Sequence, residues 1–245
     1  MKKNNVLKLI MLSMLIAIGV VISPILRVEG MCPMAHFINI VCSVLLGPWY
    51  SLVCAFTIGI IRMVLMGIPP LALTGAVFGA FLSGVFYRLS KGKILMAVLG
   101  EIIGTGIIGA VVSYPVMTLL WNKEGLTWFF YIPSFICGTL IGGSVAYFFL
   151  RKMIENGMLS KMQEKLGTPV FADKSTIISN TVSIAAFGPV LFVVFLLLPQ
   201  IFKSEATFWK YPAYGSIIGF IAIAAVYFAL KMITRKTKGK NKDVN

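Results

Sequence analysis

The feature that most constrains this chain is the repeated occurrence of apolar runs about twenty residues long. As a helix, such a run crosses a hydrocarbon core about 30 Å thick. Backbone amides inside lipid must be hydrogen-bonded within helices or closed barrels, and the alternating segments of about ten residues typical of barrels are missing here. The sequence therefore predicts an all-α fold, a polytopic bundle of membrane helices.

Composition agrees with this prediction, and the runs define eight spans. Charged residues make up 12% of the chain, about half the share found in soluble domains. The predicted spans, in chain order, are Leu9–Leu26, His36–Leu46, Trp49–Met66, Pro70–Tyr87, Ile94–Trp121, Leu126–Leu150, Thr176–Ile201 and Pro212–Ile233. Gly47 and Pro48 follow the short second span, so spans two and three are predicted to form a hairpin broken at the proline.

The distribution of Lys and Arg predicts the orientation. With the N-terminus in the cytoplasm, 17 cations fall on inner segments and only four on outer loops: Arg27, Lys123, Lys203 and Lys210. Cytoplasmic loops are enriched in these residues, so both termini are predicted to lie inside the plasma membrane. We predict a six-helix domain over residues 1–152, a cytoplasmic linker over 153–175, and two additional helices with a basic tail over 176–245. Next to a membrane span, such a tail is typical of a topology signal that touches anionic lipid rather than a nucleic-acid site.

Residues for enzymatic chemistry are scarce. The chain has one His, and its aspartates, Asp173 and Asp243, both fall on predicted cytoplasmic segments. The four cysteines are dispersed without a C-x-x-C pair, so the sequence predicts neither a metal site nor a bound cofactor. A Walker-type phosphate loop is missing as well, so we expect neither enzymatic activity nor ATP hydrolysis by this chain alone.

Two charged residues are predicted inside the bundle. Arg62 shares one face of span three with Ser51, Ala55 and Gly59, and Glu101 shares one face of span five with Thr105. Intramembrane ionisable residues indicate a functional site by default. The alternatives are that Arg62 snorkels to the outer headgroups and that Glu101 is a protonated structural residue. Whether the two side chains pair is left open by their spacing.

Further polar and aromatic residues are predicted at the outer mouth. His36 and Asn39 lie one helical turn apart at the start of span two, and Tyr114 lies in the outer half of span five. The candidate binding site consists of His36, Asn39, Arg62, Glu101 and Tyr114. Aromatics with few hydrogen-bonding groups favour a small, flat, weakly charged heterocycle. Of the aromatic residues in the stretch from Trp128 to Tyr131, we expect most to form an aromatic belt at the headgroups and the rest to line this pocket.

Residues 7–152 resemble the ThiW family, substrate-binding S components of energy-coupling factor (ECF) transporters. The resemblance rests on three stretches together with Ser113-Tyr114-Pro115: His36-Phe37-Ile38-Asn39, Leu45-Leu46-Gly47-Pro48-Trp49-Tyr50, and the run from Leu99 to Ala110 around Glu101. Ile60-Ile61-Arg62 and the pair Gly75 and Gly79 add to it. The run around Glu101 is the most specific part.

The resemblance implies a six-helix S component that captures hydroxyethylthiazole, a thiamin precursor, from outside. It also implies a transmembrane T component and two ATP-binding subunits as partners, with Ser13 and Ala17 of span one at the T-component interface. Met31 and Ala35 replace a Lys and a Gln of the family pattern, which leaves the exact ligand open. The alternatives are an S component for another vitamin-like ligand and a carrier outside the ECF class.

Overall fold

The structure is a computed structural model that describes residues 3–25, 27, 31–171, isolated positions between 177 and 195, and 206–240. Every element in these ranges is helical. In chain order they are α1 (Lys3–Ile22), α2 (Pro33–Leu46), α3 (Pro48–Met66), α4 (Leu71–Leu89), α5 (Ile94–Ile103), a π-helical segment (Gly104–Gly109), α6 (Ala110–Leu119), α7 (Ile132–Glu155), α8 (Met158–Leu166) and α9 (Ala206–Lys240).

The predicted polytopic helical bundle is confirmed. Among the described residues, six helical stretches are long and apolar enough to cross a membrane, and α5, the π-helical segment and α6 together form one of them. The shorter α2 corresponds to the predicted second span. The predicted seventh span, over residues 176–201, lies mostly outside the described residues. The chain divides into two compact units, Met1–Lys174 and Ser175–Asn245.

Helix α2 lies at the centre of the first unit. Twelve of its 14 residues are buried, and it packs against α1, α3, α4, α5, α7 and α8. At about 1.5 Å per residue, a helix of this length falls short of the bilayer core. Protein rather than lipid surrounds α2, so its polar side chains are held inside the bundle.

The predicted hairpin between spans two and three is observed. Helix α2 ends at Leu46 and α3 begins at Pro48, with Gly47 between them at φ 95°. A proline has no N–H, so the carbonyl of Val44 lacks its usual donor four residues later. The Nε2 group of Gln163 on α8 donates to this carbonyl over 3.0 Å and to the Tyr87 hydroxyl over 3.2 Å. Helix α8, which falls within the predicted linker, is therefore fastened to the end of α2.

Two spans differ in detail from the sequence prediction. The sixth begins at Ile132 rather than Leu126, with Pro133 in its first turn, because proline is tolerated there but not inside a helix. The fifth is interrupted by the π-helical segment, which begins directly after Ile103 and so lies close to Glu101 in the chain. Such segments shift the phase of the helix and often lie at functional sites.

The second unit contains α9, which includes a membrane-length stretch over Trp209–Thr234. Within this unit, the rings of Phe187 and Phe220 stack with centroids 6.2 Å apart. The Ser216 hydroxyl donates to the carbonyl of Gly188 over 3.3 Å. These contacts join α9 to the preceding segment of the same unit.

Candidate functional site

A buried carboxylate on α5 organises polar side chains from α2 and from the π-helical segment. Oε1 of Glu101 lies 2.9 Å from Nδ1 of His36. It accepts a bond from the Asn39 amide over 2.9 Å and one from the Thr105 hydroxyl over 3.2 Å. Glu101 is fully buried. We call these four residues the Glu101 cluster.

The cluster fixes the orientation of the imidazole. Because Nδ1 of His36 faces the carboxylate, Nε2 is the ring nitrogen left for a ligand. Asn39 also donates to the carbonyl of Ala76 on α4, over 3.3 Å, so the cluster ties α2 to α4 as well as to α5. A buried polar network of this kind holds its members in one geometry when its donors are satisfied.

Two glycines make room for the cluster. A Cβ at Gly79 on α4 would lie 2.8 Å from the carboxyl carbon of Glu101, and one at Gly142 on α7 would lie 3.0 Å from Cβ of His36. Carbon atoms do not approach so closely without displacement, so any larger residue would push the helices apart. Small residues at helix crossings allow this close packing in membranes.

A cavity of about 450 Å³ lies beside the cluster, at the end of the bundle where α2 and α4 begin and α3 and α6 end. This end is the one that the cation distribution predicts to be outside. The volume lies in the range of small-molecule sites, roughly 300–1,000 Å³. The described lining residues are Arg27, Met31, Cys32, Ala35, His36, Arg62, Ile68, Pro69, Leu71, Ala72, Gly75, Ala76, Thr105, Met117, Trp121, Asn122, Lys123 and Phe135.

The structure brings four of the five predicted site residues to this region. His36 and Arg62 line the cavity, while Asn39 and Glu101 lie behind His36 in the cluster. Tyr114 is placed differently, against Trp128 with ring centroids 4.5 Å apart, and is not among the described lining residues. The assignment of all five residues to ligand binding stays a prediction.

Arg62 and Glu101 are not joined by an ion pair in the described part of the chain. Glu101 takes its donors from the cluster, whereas Nε of Arg62 has no hydrogen-bond partner there. The face predicted for α3 is observed, since Ser51, Ala55 and Gly59 are buried together with Arg62. Only 3% of Arg62 is exposed, so its side chain lies inside the bundle and does not snorkel to the headgroups.

Several lining residues were not identified as site residues from the sequence. Trp121, Asn122 and Lys123 follow α6 and reach the cavity, although the sequence indicated only the end of span five at Trp121 and an outer-loop cation at Lys123. Arg27 was likewise counted only for topology. Of four outer-loop cations in the sequence, two line the cavity, and the scarcity of cations in outer loops was the available signal for them.

Residues 9–156, about 60% of the chain, match the family described as thiamine-precursor transporter protein (ThiW). The chain belongs to the ThiW family. Among curated proteins and among solved structures, no match was found.

The ThiW match covers most of the first unit, from within α1 to the end of α7. It includes the Glu101 cluster and every described lining residue of the cavity. ThiW proteins are transporters of thiamine precursors, so this chain is a multi-pass membrane protein with a role in transport. The cavity is a place in the described structure where a small solute fits beside buried polar groups.

Proposed function

We propose that this chain is the substrate-capture subunit of an ECF-type importer and that it binds hydroxyethylthiazole from outside. The observation that carries the proposal is the cavity with the oriented imidazole of His36 in its wall. A flat five-membered ring with a hydroxyl needs an apolar site with a few fixed polar groups. Met117, Trp121 and Phe135 supply apolar surface, and His36 and Thr105 supply polar groups.

In this proposal the residues of the predicted site divide into two roles. His36 and Arg62 contact the ligand from the cavity wall, with Nε2 of His36 bonding the ring nitrogen or the hydroxyl. Asn39 and Glu101 act as positioning residues, because both reach the cavity only through the cluster. Tyr114, packed on Trp128, would act at the rim.

Binding of hydroxyethylthiazole to the detergent-purified chain, measured by calorimetry, tests this assignment. We expect saturable binding with one ligand per chain, and we expect His36→Ala to weaken it about tenfold, as loss of one hydrogen bond does. His36→Gln, which keeps a donor and an acceptor, should recover part of that loss. A wild-type protein that is monodisperse but binds no thiazole would overturn the ligand assignment.

The proposed energy source is a T component with two ATP-binding subunits. The sequence has no phosphate loop of its own, and α1 presents Ser13 and Ala17 on an exposed face together with Met14 and Val21. Small residues allow a partner helix to pack closely in lipid. This face is the proposed contact with the T component.

Co-expression with an ECF T component and its ATP-binding subunits tests the partnership. Ser13→Trp and Ala17→Trp should abolish co-purification and uptake while leaving thiazole binding unchanged. Ser144→Trp, on the exposed face of α7, is the matched control and should leave co-purification intact. Uphill accumulation of thiazole in vesicles that contain this chain alone would contradict the capture-subunit proposal.

Capture from outside also requires the predicted orientation. A Cys placed at Asn122 should react with an impermeant reagent in intact cells, and bound ligand should protect it because Asn122 lines the cavity. A Cys placed at Ser160, on α8, should stay unlabelled until the cells are opened. Labelling at residue 160 in intact cells would invert the proposed topology.

A further inference from the structure

Arg62 is a buried cation in the wall of the cavity. Its side chain is 97% buried, lines the cavity, and has an Nε that donates no hydrogen bond among the described residues. A guanidinium carries five N–H donors and a permanent charge. A buried charge without a partner is costly, and proteins pair such charges or bind them to a ligand.

Glu101, the other charged residue predicted inside the bundle, already has hydrogen-bond partners of its own. Oε1 of Glu101 takes donors from His36, Asn39 and Thr105, and Glu101 is not among the described lining residues of the cavity. A protein counter-ion for Arg62 is therefore missing from the part of the chain that the structure describes.

The other charged residues of the cavity wall have the same sign. Arg27 lines the cavity with Arg62, and the described lining contains no Asp or Glu. Low-dielectric walls lined by one sign of charge concentrate ions of the opposite sign. A neutral thiazole alcohol would displace water from this site and leave the guanidinium without compensation.

We propose that the ligand carries an anionic substituent, a phosphate monoester or a carboxylate, and that Arg62 binds it. The planar fork of a guanidinium matches the two oxygens of either group, and such charge-assisted bonds are stronger than neutral ones. The inference rests on the proposed role in capturing a thiazole, but it replaces the neutral alcohol by an anionic derivative: the thiazole ring lies toward His36, and the anion lies toward Arg62. The substrate class becomes a small heterocycle bearing an anionic side chain.

Calorimetry with matched ligands tests this. The ligands are hydroxyethylthiazole, its phosphate monoester and the carboxylate analogue in which a carboxymethyl group replaces the hydroxyethyl group. We expect both anions to bind at least tenfold more tightly than the alcohol, and Arg62→Gln to remove that advantage by weakening the anions at least tenfold more than it weakens the alcohol. A melting temperature in detergent no lower than that of the wild type shows that the variant is folded. Arg62→Lys, which keeps the charge without the fork, should give an intermediate result.

Lys161→Gln removes one exposed cation from α8, at a distance from the cavity lining. This control should leave all three affinities unchanged, which separates a local effect of Arg62 from an effect of net charge. If the alcohol binds as tightly as the two anions, or if Arg62→Gln weakens all three ligands equally, the inference is wrong.

Two further arms separate the possible failures. If no thiazole binds but inorganic phosphate binds the wild type and not Arg62→Gln, the thiazole assignment fails and the anion site stands. If neither the thiazole anions nor inorganic phosphate bind in a way that depends on Arg62, the anion site fails.

Lipid phosphate is tested with phosphatidylglycerol added to the detergent: we expect no competition with the phosphate ester. Competition that Arg62→Gln abolishes would assign Arg62 to a headgroup and overturn the inference.

Discussion

Glu101 and Arg62 are both buried inside the first unit, yet their surroundings are opposite. The carboxylate is surrounded by three donors on its Oε1 atom, from α2 and from its own span. The guanidinium faces a cavity and has an Nε without a partner among the described residues. The donors of the fold bind Oε1 of Glu101 and leave Oε2 without a described partner, whereas the guanidinium lies where an entering molecule can reach it. Burial alone therefore does not distinguish a structural charge from a binding charge, but the partners do.

The largest expected effect comes from removing the acceptor at the centre of the cluster. Glu101→Leu leaves three donors without an acceptor, and each buried unsatisfied group costs about 1–3 kcal/mol. We expect a loss of about 3 kcal/mol or more in the free energy of unfolding, seen as a much lower melting temperature in detergent. Glu101→Gln is the control: it keeps one carbonyl acceptor and places its amide where Oε2 has no described partner. Equal stability of Glu101→Leu and wild type would refute a structural role for the carboxylate.

A slightly smaller effect is expected from crowding the cluster. Gly79→Ala places a methyl group 2.8 Å from the Glu101 carboxyl carbon, and overpacking of this kind costs about 1–3 kcal/mol. Thermal unfolding should show the loss, and the affinity for ligand should fall because His36 moves with Glu101. Gly215→Ala on α9 is the matched control, since a Cβ there meets no atom of the described residues within 4 Å. Similar stability for both variants would contradict the tight packing of α4 on α5.

Asn39→Ala removes one donor of the three and leaves the bonds from His36 and Thr105. We expect a loss of about 1–2 kcal/mol in the free energy of unfolding. Because Asn39 does not line the cavity as described, the affinity for ligand should fall less than it does in His36→Ala. Ser13→Ala, at an exposed site whose hydroxyl bonds its own helix, should change stability by less than about 0.5 kcal/mol. An affinity loss as large as that of His36→Ala would place Asn39 in direct contact with the ligand.

The smallest effect on stability is expected at Arg62, and it sharpens the comparison most. Arg62→Met removes a buried charge that has no counter-ion among the described residues, and an apolar side chain of similar length avoids the cost of burying that charge. The ligand-free variant should therefore unfold at the same temperature as the wild type or above it. In a double-mutant cycle with Glu101→Gln, we expect a coupling free energy below about 0.5 kcal/mol. A coupling above about 1 kcal/mol would show that the two charges stabilise each other after all.

The sequence predicts much of this architecture, and the reasons for its failures are physical. The membrane helices follow from the length of the apolar runs, and the break at Gly47-Pro48 follows from the missing N–H of proline. Polar residues at helical spacing identified His36 and Asn39 on α2 and Glu101 on α5, which the fold brings together. These predictions depend on local properties of the chain.

What the sequence does not predict depends on packing between distant segments. The partner of Glu101 depends on how α2 and α5 are placed, so an ion pair with Arg62 was as reasonable as the bond to His36. The segment Trp121 to Lys123 lines the cavity only because of how the chain leaves α6. Helix α8 has a buried Gln163 that bonds a carbonyl 119 positions earlier, and a polar side chain gives no sign of so distant a partner.

The π-helical segment Gly104–Gly109 lies between α5 and α6 of one span and shifts the helical phase of α6 relative to α5. Before it, the backbone sets where the carboxylate of Glu101 points; after it, the backbone sets which side of α6 presents Met117 to the cavity. Each residue of an α-helix turns the chain by about 100° and advances it by about 1.5 Å. Deleting Gly106 or Gly109, which follow Thr105, would leave Glu101 in place and turn Met117 away from the cavity. A change in the length of the segment after Thr105 would therefore alter the shape of the cavity while leaving the residues of the Glu101 cluster in place.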